Sequence, residues 1–178
     1  MRIDAADLVD VLALTPSPFR DDRGLFTRTF DAELFDAHLG SPGLSATFLQ
    51  DSQSRSVQGV VRGMHGRSGR GEAKLVRCAH GAVLDVLVDI RRHSPTFGRQ
   101  QSFLLDDNDF RHLYVPPGFL HGFQALTPTA DVCYRIDRPH EPSENLAVAH
   151  DDPDLAIAWP LPVTIISAQD ARAPRWAD

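Results

Sequence analysis

The sequence predicts a mostly β protein, an antiparallel jelly-roll sandwich or barrel carrying a few short helices. Three observations support this. The run AKLVRCAHGAVLDVLVDI alternates with period two on both sides of His80-Gly81, as strands with distinct faces do. Five further short apolar runs follow, RQQSFLLD, RHLYVPP, HGFQALT, DVCYRI and NLAVAH. The segments SPTFG, DDND, PPGF, TPTAD and RPHEPSEN separate the strands, and turn residues at this spacing are typical of all-β folds.

The elements can be justified in chain order. Residues 31–39, DAELFDAHL, offer Asp31 as a cap, Leu34, Phe35 and Leu39 on one face, and Gly40 as the stop of a short helix. His80-Gly81 is expected to turn a hairpin between two strands. In its second arm Val83, Asp85, Leu87 and Asp89 share one face, and Leu84, Val86, Val88 and Ile90 share the other. In the run DVCYRI, alternation puts Val132 and Tyr134 on the same side. Residues 151–178 are rich in Pro and Asp and are expected to form loops and short helical turns. No repeat, low-complexity tract or Gly/Ser linker interrupts the chain, so residues 1–178 are expected to form one domain.

Composition narrows the function. With 178 residues, 42% hydrophobic and 24% charged, the chain can close a core without disulfides or structural metal. Collagen, coiled coil and wholesale disorder are excluded. No apolar run approaches the roughly 20 residues of a membrane helix. The start, MRIDAADLVDVLAL, is acidic and lacks a basic leader. Cys78 and Cys133 lie in strand-like runs and read as reduced core thiols of a cytoplasmic protein. A net charge of −6 argues against broad nucleic-acid binding, so an anionic ligand would need a locally basic pocket. Of the 18 basic residues 17 are Arg, and Lys74 is the only lysine. Arg-favouring codons account for such a bias, yet an ammonium is a compact, tunable charge that a guanidinium cannot replace.

Two histidines stand in motif-like settings, His65 at the end of Gly59-Val-Val-Arg-Gly-Met-His65 and His121 after Val115-Pro-Pro-Gly-Phe-Leu. Together they resemble the two motifs of the cupin superfamily. Metal-binding cupins carry two His one residue apart, then a Glu, with a further His in the second motif. Here the position two after His65 is Arg67, which is no ligand. Glu72 and His121 leave at most three donors with His65, a number that open catalytic sites can use. The metal-dependent reading is thus weakened, and no metal or cofactor is expected.

The resemblance then becomes specific. DDRGLF (21–26), GVVRGMH (59–65), KLVRCAHGAVLDVLVDIRRHSPTFG (74–98), VPPGFLHGF (115–123), VCYR (132–135), DDPDLAIAWP (151–160) and ISAQD (166–170) are similar, in that order, to stretches of the dTDP-4-dehydrorhamnose 3,5-epimerase family, a metal-free cupin branch. The resemblance implies epimerisation of a nucleotide-linked 4-keto-6-deoxy sugar at carbons flanking the ketone. Such chemistry needs a base on one face, an acid on the other and positive charge near the ketone oxygen. By position, His65 matches the family's base, Asp170 the carboxylate that orients it, Lys74 the enolate stabiliser and Tyr134 the opposite acid. His121 matches a sugar-pocket residue, Arg23 and Arg62 match substrate and phosphate contacts, and Gln50 a nucleotide or sugar contact. The resemblance further implies a homodimer in which an N-terminal segment crosses to the partner.

The sequence also departs from the family pattern. Arg28 stands for a Glu, Ser52 for an Asn, Pro139-His140 for a Tyr pair, and Gly66-Arg67 for Tyr-Gln before a shortened loop. The implied catalytic set is intact while the surrounding shell differs, as in a member with another base, another sugar or one epimerised carbon. Two other readings stay open: a cupin that only binds a sugar nucleotide, and a metal-dependent cupin.

Overall fold

The computed structural model describes residues 1–39 and 47–176. Among them, one six-stranded antiparallel sheet runs β1 (Arg2–Ala5), β2 (Leu12–Thr15), β10 (His112–Val115), β7 (Lys74–His80), β12 (Thr129–Ile136), β5 (Gln50–Val57). A five-stranded sheet runs β13 (Asn145–Ala147), β6 (Val61–Arg67), β11 (Phe119–Ala125), β8 (Ala82–Asp89), β9 (Gln100–Asp106). A separate hairpin pairs β3 (Phe19–Asp21) with β4 (Gly24–Phe26). This is the jelly roll that the strand pattern predicts.

The main core lies between the sheets. Val76, Cys78, Leu113 and Val132 of the larger sheet pack with Val83, Leu87, Leu105 and Phe123 of the smaller. Each fully buried side chain of this size contributes about 1.5–3 kcal/mol of transfer free energy. The opposite face of β8 is apolar too: Val86 and Val88 pack with Met64, Leu120 and Val148, against which Trp159 and Trp176 of the C-terminal tail rest. The two-faced pattern of β8 thus reflects burial on both sides. Cys78 is buried and Cys133 half-buried, both free. Burial pushes the Cys78 thiol up to about 12, so it stays protonated and unreactive.

The predicted hairpin at His80-Gly81 is not one. Both edges of β7 are taken by β10 and β12, and both edges of β8 by β11 and β9. Gly81, with φ of 74°, turns the chain from one sheet into the other. A side chain there would collide with Thr127 and the Thr129 carbonyl. Alternation looks the same whether two strands pair with each other or with different neighbours.

The predicted helix is α1 (Ala32–Asp36), where the Asp31 carboxylate accepts the Leu34 N–H. Phe35 is fully buried against Tyr114, but Leu34 faces outward. Gly40 lies outside the described residues. This helix covers only part of the larger sheet's outer face. Beyond it, His112, Arg77 and Cys133 sit opposite one another on β10, β7 and β12. With Arg135, Thr29 and Asp51 they line a cavity of about 30 Å³.

Candidate active site

The strands β6 and β11 bring two imidazoles together. His65 and His121 are direct cross-strand partners, followed by a bulge between His121 and Phe123. Close approach of the backbones requires glycine on both sides. A Cβ on Gly63, whose φ is 129°, would lie 2.6 Å from Gly122 Cα, inside any normal contact distance.

Each imidazole is held by its own carboxylate. Asp170, on the short 3₁₀ turn Asp170–Arg172, places Oδ1 2.6 Å from His65 Nε2. Asp170 is held in turn by Ser167, whose hydroxyl accepts its N–H at 3.0 Å. Asp85 of β8 places Oδ2 2.7 Å from His121 Nε2, and both residues are buried. An anion on one ring nitrogen fixes the tautomer and the orientation of the ring.

The facing sheet supplies Tyr134, Ser54 and Lys74, and β6 itself adds Arg62 and Arg67. Tyr134 of β12 exchanges a hydrogen bond of 3.0 Å with Ser54 of β5, and its ring lies edge-on to His121 with centroids 6.3 Å apart. Burial pushes its phenol well above the usual range, only partly opposed by Ser54. Lys74 of β7 places Nζ 3.1 Å from Glu72 Oε1, while Arg67 of β6 donates to Glu72 Oε2 at 3.0 Å. Burial alone would raise the Glu72 pKa, but the charges of Lys74 and Arg67 override it and hold the carboxyl below its ordinary value. Arg62 donates to the Ser56 hydroxyl at 3.0 Å and the Arg55 carbonyl at 3.2 Å.

All of these groups except Asp85, which lies behind His121, line one cavity of about 850 Å³, within the usual range for small-molecule sites. His65, Lys74, Tyr134, Asp170, Arg62 and His121 all border it. Gln50 and Arg23 do not. Gln50 begins the edge strand β5, exposed, and Arg23 sits on the β3–β4 hairpin paired with Asp21 at 2.6 Å. Three contributors escaped the sequence reading. Ser54 carries no motif, Asn145 opens β13 but falls within the turn segment RPHEPSEN in the sequence, and Asp85 reads as one residue of an alternating strand, although a carboxylate between Val83 and Leu87 on one face was the available signal. Glu72, weighed as a metal donor, has both oxygens engaged by cations. Among the described residues no three His, Cys, Asp or Glu side chains converge. Of the altered shell, Arg67 and His140 border the cavity, whereas Arg28 pairs with Asp31 at 2.9 Å and Ser52 is exposed on β5.

A proton-transfer dyad, a buried phenol and a buried ammonium around one cavity can move a proton beside a polarised carbonyl. Comparison with known proteins agrees. A family model described as dTDP-4-dehydrorhamnose 3,5-epimerase matches residues 5–178. The protein of that name from Escherichia coli K12 is 39% identical over 174 residues, covering 97% of this chain and 92% of its own. The crystal structure of the Elizabethkingia anophelis protein of that name superposes with TM-score 0.92 at 36% identity, covering 99% of this chain and 96% of its own. NovW, described as a 4-keto-6-deoxy sugar epimerase from the novobiocin cluster of Streptomyces spheroides, gives TM-score 0.92 at 36% identity, covering 98% and 87%. This chain, an isomerase by kinship, belongs to the dTDP-4-dehydrorhamnose 3,5-epimerase family.

Proposed function

We propose that the chain epimerises a nucleotide-linked 4-keto-6-deoxy hexose, dTDP-linked as in its relatives, at carbon 3, carbon 5 or both. The observation that carries the reading is the His65–Asp170 pair of 2.6 Å in the same cavity as Tyr134 and Lys74. His65 removes the proton next to the ketone, and Asp170 stabilises the imidazolium that forms. Lys74 stabilises the enolate oxygen. Tyr134, kept protonated by burial, returns a proton from the opposite face. Arg62 and the buried His121 hold phosphate and sugar, and the chemistry asks for no cofactor or metal.

The whole chain, residues 1–178, acts in this reading as one epimerase domain in the cytoplasm. It works as a homodimer. The β3–β4 hairpin stands apart from both sheets, with Phe19 65% and Phe26 76% exposed. Such apolar exposure on a projecting hairpin fits a segment that lies against a second copy. Arg23, remote from its own cavity, would then serve the partner's. Gln50, on the exposed edge strand, is assigned a contact with the nucleotide or sugar at the cavity mouth.

The test is turnover of dTDP-4-keto-6-deoxyglucose in deuterium oxide, followed by NMR. Deuterium at carbon 3, carbon 5 or both is expected, and its position tells a single-carbon enzyme from a double one. Binding without exchange would leave a sugar-nucleotide-binding cupin and overturn the enzyme reading.

A further inference from the structure

Arg67 borders the cavity, yet its donors are turned toward the protein. Nε donates to Glu72 Oε2 at 3.0 Å, Nη1 donates to the Glu141 carbonyl at 2.9 Å and to Asn145 Oδ1, and Nη2 contacts His140 Nδ1. A guanidinium has five N–H groups, so at most one is left for a ligand. Glu72 uses its other oxygen on Lys74 Nζ at 3.1 Å. The three side chains are only 9%, 7% and 15% exposed for Arg67, Glu72 and Lys74. Buried charges of this kind persist only when paired on every side.

We propose that Arg67 and Glu72 are positioning residues for Lys74: Arg67 pins one oxygen of Glu72, and the other oxygen presents the Lys74 ammonium to the substrate's ketone oxygen. The inference rests on the reading of Lys74 as the enolate stabiliser. A lysine side chain on its flexible four-carbon stem has many rotamers to lose, and a charge acts best on a developing enolate when it is in place beforehand. With Arg67 absent, Glu72 keeps Lys74 as its one cation and is free to turn about it. Arg67 also ties Glu141 and Asn145, which flank the 3₁₀ turn Pro142–Glu144 leading into β13. The side chain that braces Lys74 therefore also braces the cavity rim.

The single lysine makes the proposal directly testable. In protein labelled with 13C,15N-lysine, Lys74 gives the only side-chain lysine signals. The two Cε protons should be inequivalent in the parent, reporting one fixed rotamer, and should collapse toward equivalence in Arg67→Gln and Glu72→Gln. In the deuterium-exchange assay Arg67→Gln should lower kcat at least about tenfold, as loss of placement does, with KM within about twofold. Arg67→Lys should not rescue, because a point charge cannot bridge Glu72 and the rim. In a Lys74→Met background Arg67→Gln should have no further effect. The proposal is overturned by Cε signals alike in parent and variants, by a KM effect with kcat unchanged, or by an equal cost with and without Lys74. A parent with no exchange but variant-sensitive Lys74 signals would remove the functional reading and leave the positioning intact.

Discussion

Asp170 and His65 meet at 2.6 Å across 105 positions of sequence, the carboxylate 5% and the imidazole 44% exposed. The anion is thus shielded while the ring it orients stays open to the cavity. His65→Ala should cut deuterium uptake beside the ketone by at least roughly 10²-fold, the typical worth of a positioned base. Asp170→Asn should slow it comparably while leaving substrate affinity within a few-fold, because geometry survives but the tautomer and imidazolium are no longer favoured. Uptake at the parent rate in His65→Ala would assign the base elsewhere.

Tyr134 should show a different signature. Its buried phenol holds its proton, so it serves as donor rather than base. Tyr134→Phe should still wash out the substrate proton, with net inversion reduced about 10²-fold or more. Exchange and inversion are separated by following the label and the product stereochemistry together. Inversion at the parent rate would mean that another group, or water, delivers the proton.

Acid stability should depend on His112. The residue is 2% exposed, and neither ring nitrogen is hydrogen-bonded. Burial, with Arg77 and Arg135 nearby, holds its pKa at about 3 instead of 6.5. The unfolded chain therefore takes up a proton below pH 6.5 that the folded chain refuses until about pH 3. Stability rises with pH across that window and is lost as pH falls through it. Urea unfolding at pH 7 and pH 4 should show that His112→Gln removes on the order of 3 kcal/mol of the parent's acid-dependent loss. An identical loss in both proteins would show that His112 gains its proton without cost.

The nucleotide shell predicts relaxed base discrimination. Arg28 is held by Asp31 and His140 by Arg67, in regions where the family pattern has a Glu and a Tyr pair. Loss of one base–aromatic stack is worth about 1–3 kcal/mol, or about tenfold or more in preference. Calorimetry should find dTDP bound less than about a hundredfold better than UDP, GDP or CDP. A larger preference would mean that other residues rebuild the thymine pocket.

Strand patterning made β7 to β13 legible, because burial on one or two faces writes itself into every second residue. The sheet partners were not legible: the corner at Gly81 has the same local pattern as a hairpin. The sequence assigns no strand to β1 to β5: β1 to β4 have three or four residues each and lack flanking turn signals as clear as those around β10 and β13, and β5 (QDSQSRSV) has a single apolar residue to alternate. His65, Lys74 and Asp170 could be picked out through the family strings, which carry spatial information that single residues lack. The Asp85–His121 pair could not, because strand register, which is set by the whole sheet, brings them together. Arg23 and Gln50 lie off the cavity for a similar reason: a position in sequence says nothing about the side of the sandwich, or of an assembly, on which it ends.

The close approach at Gly63 and Gly122 gives this cavity an unusual vulnerability to mutation. What sets the spacing of the two imidazoles is the absence of two methyl groups, since a Cβ at Gly63 would stand 2.6 Å from Gly122 Cα and one at Gly122 3.0 Å from the Arg62 carbonyl. Constraint in a library of variants should therefore be shared between residues that can bond to a ligand and two that have nothing to bond with. An alanine at either glycine should mimic a damaged reacting group in any activity screen, while leaving every reacting group in the sequence.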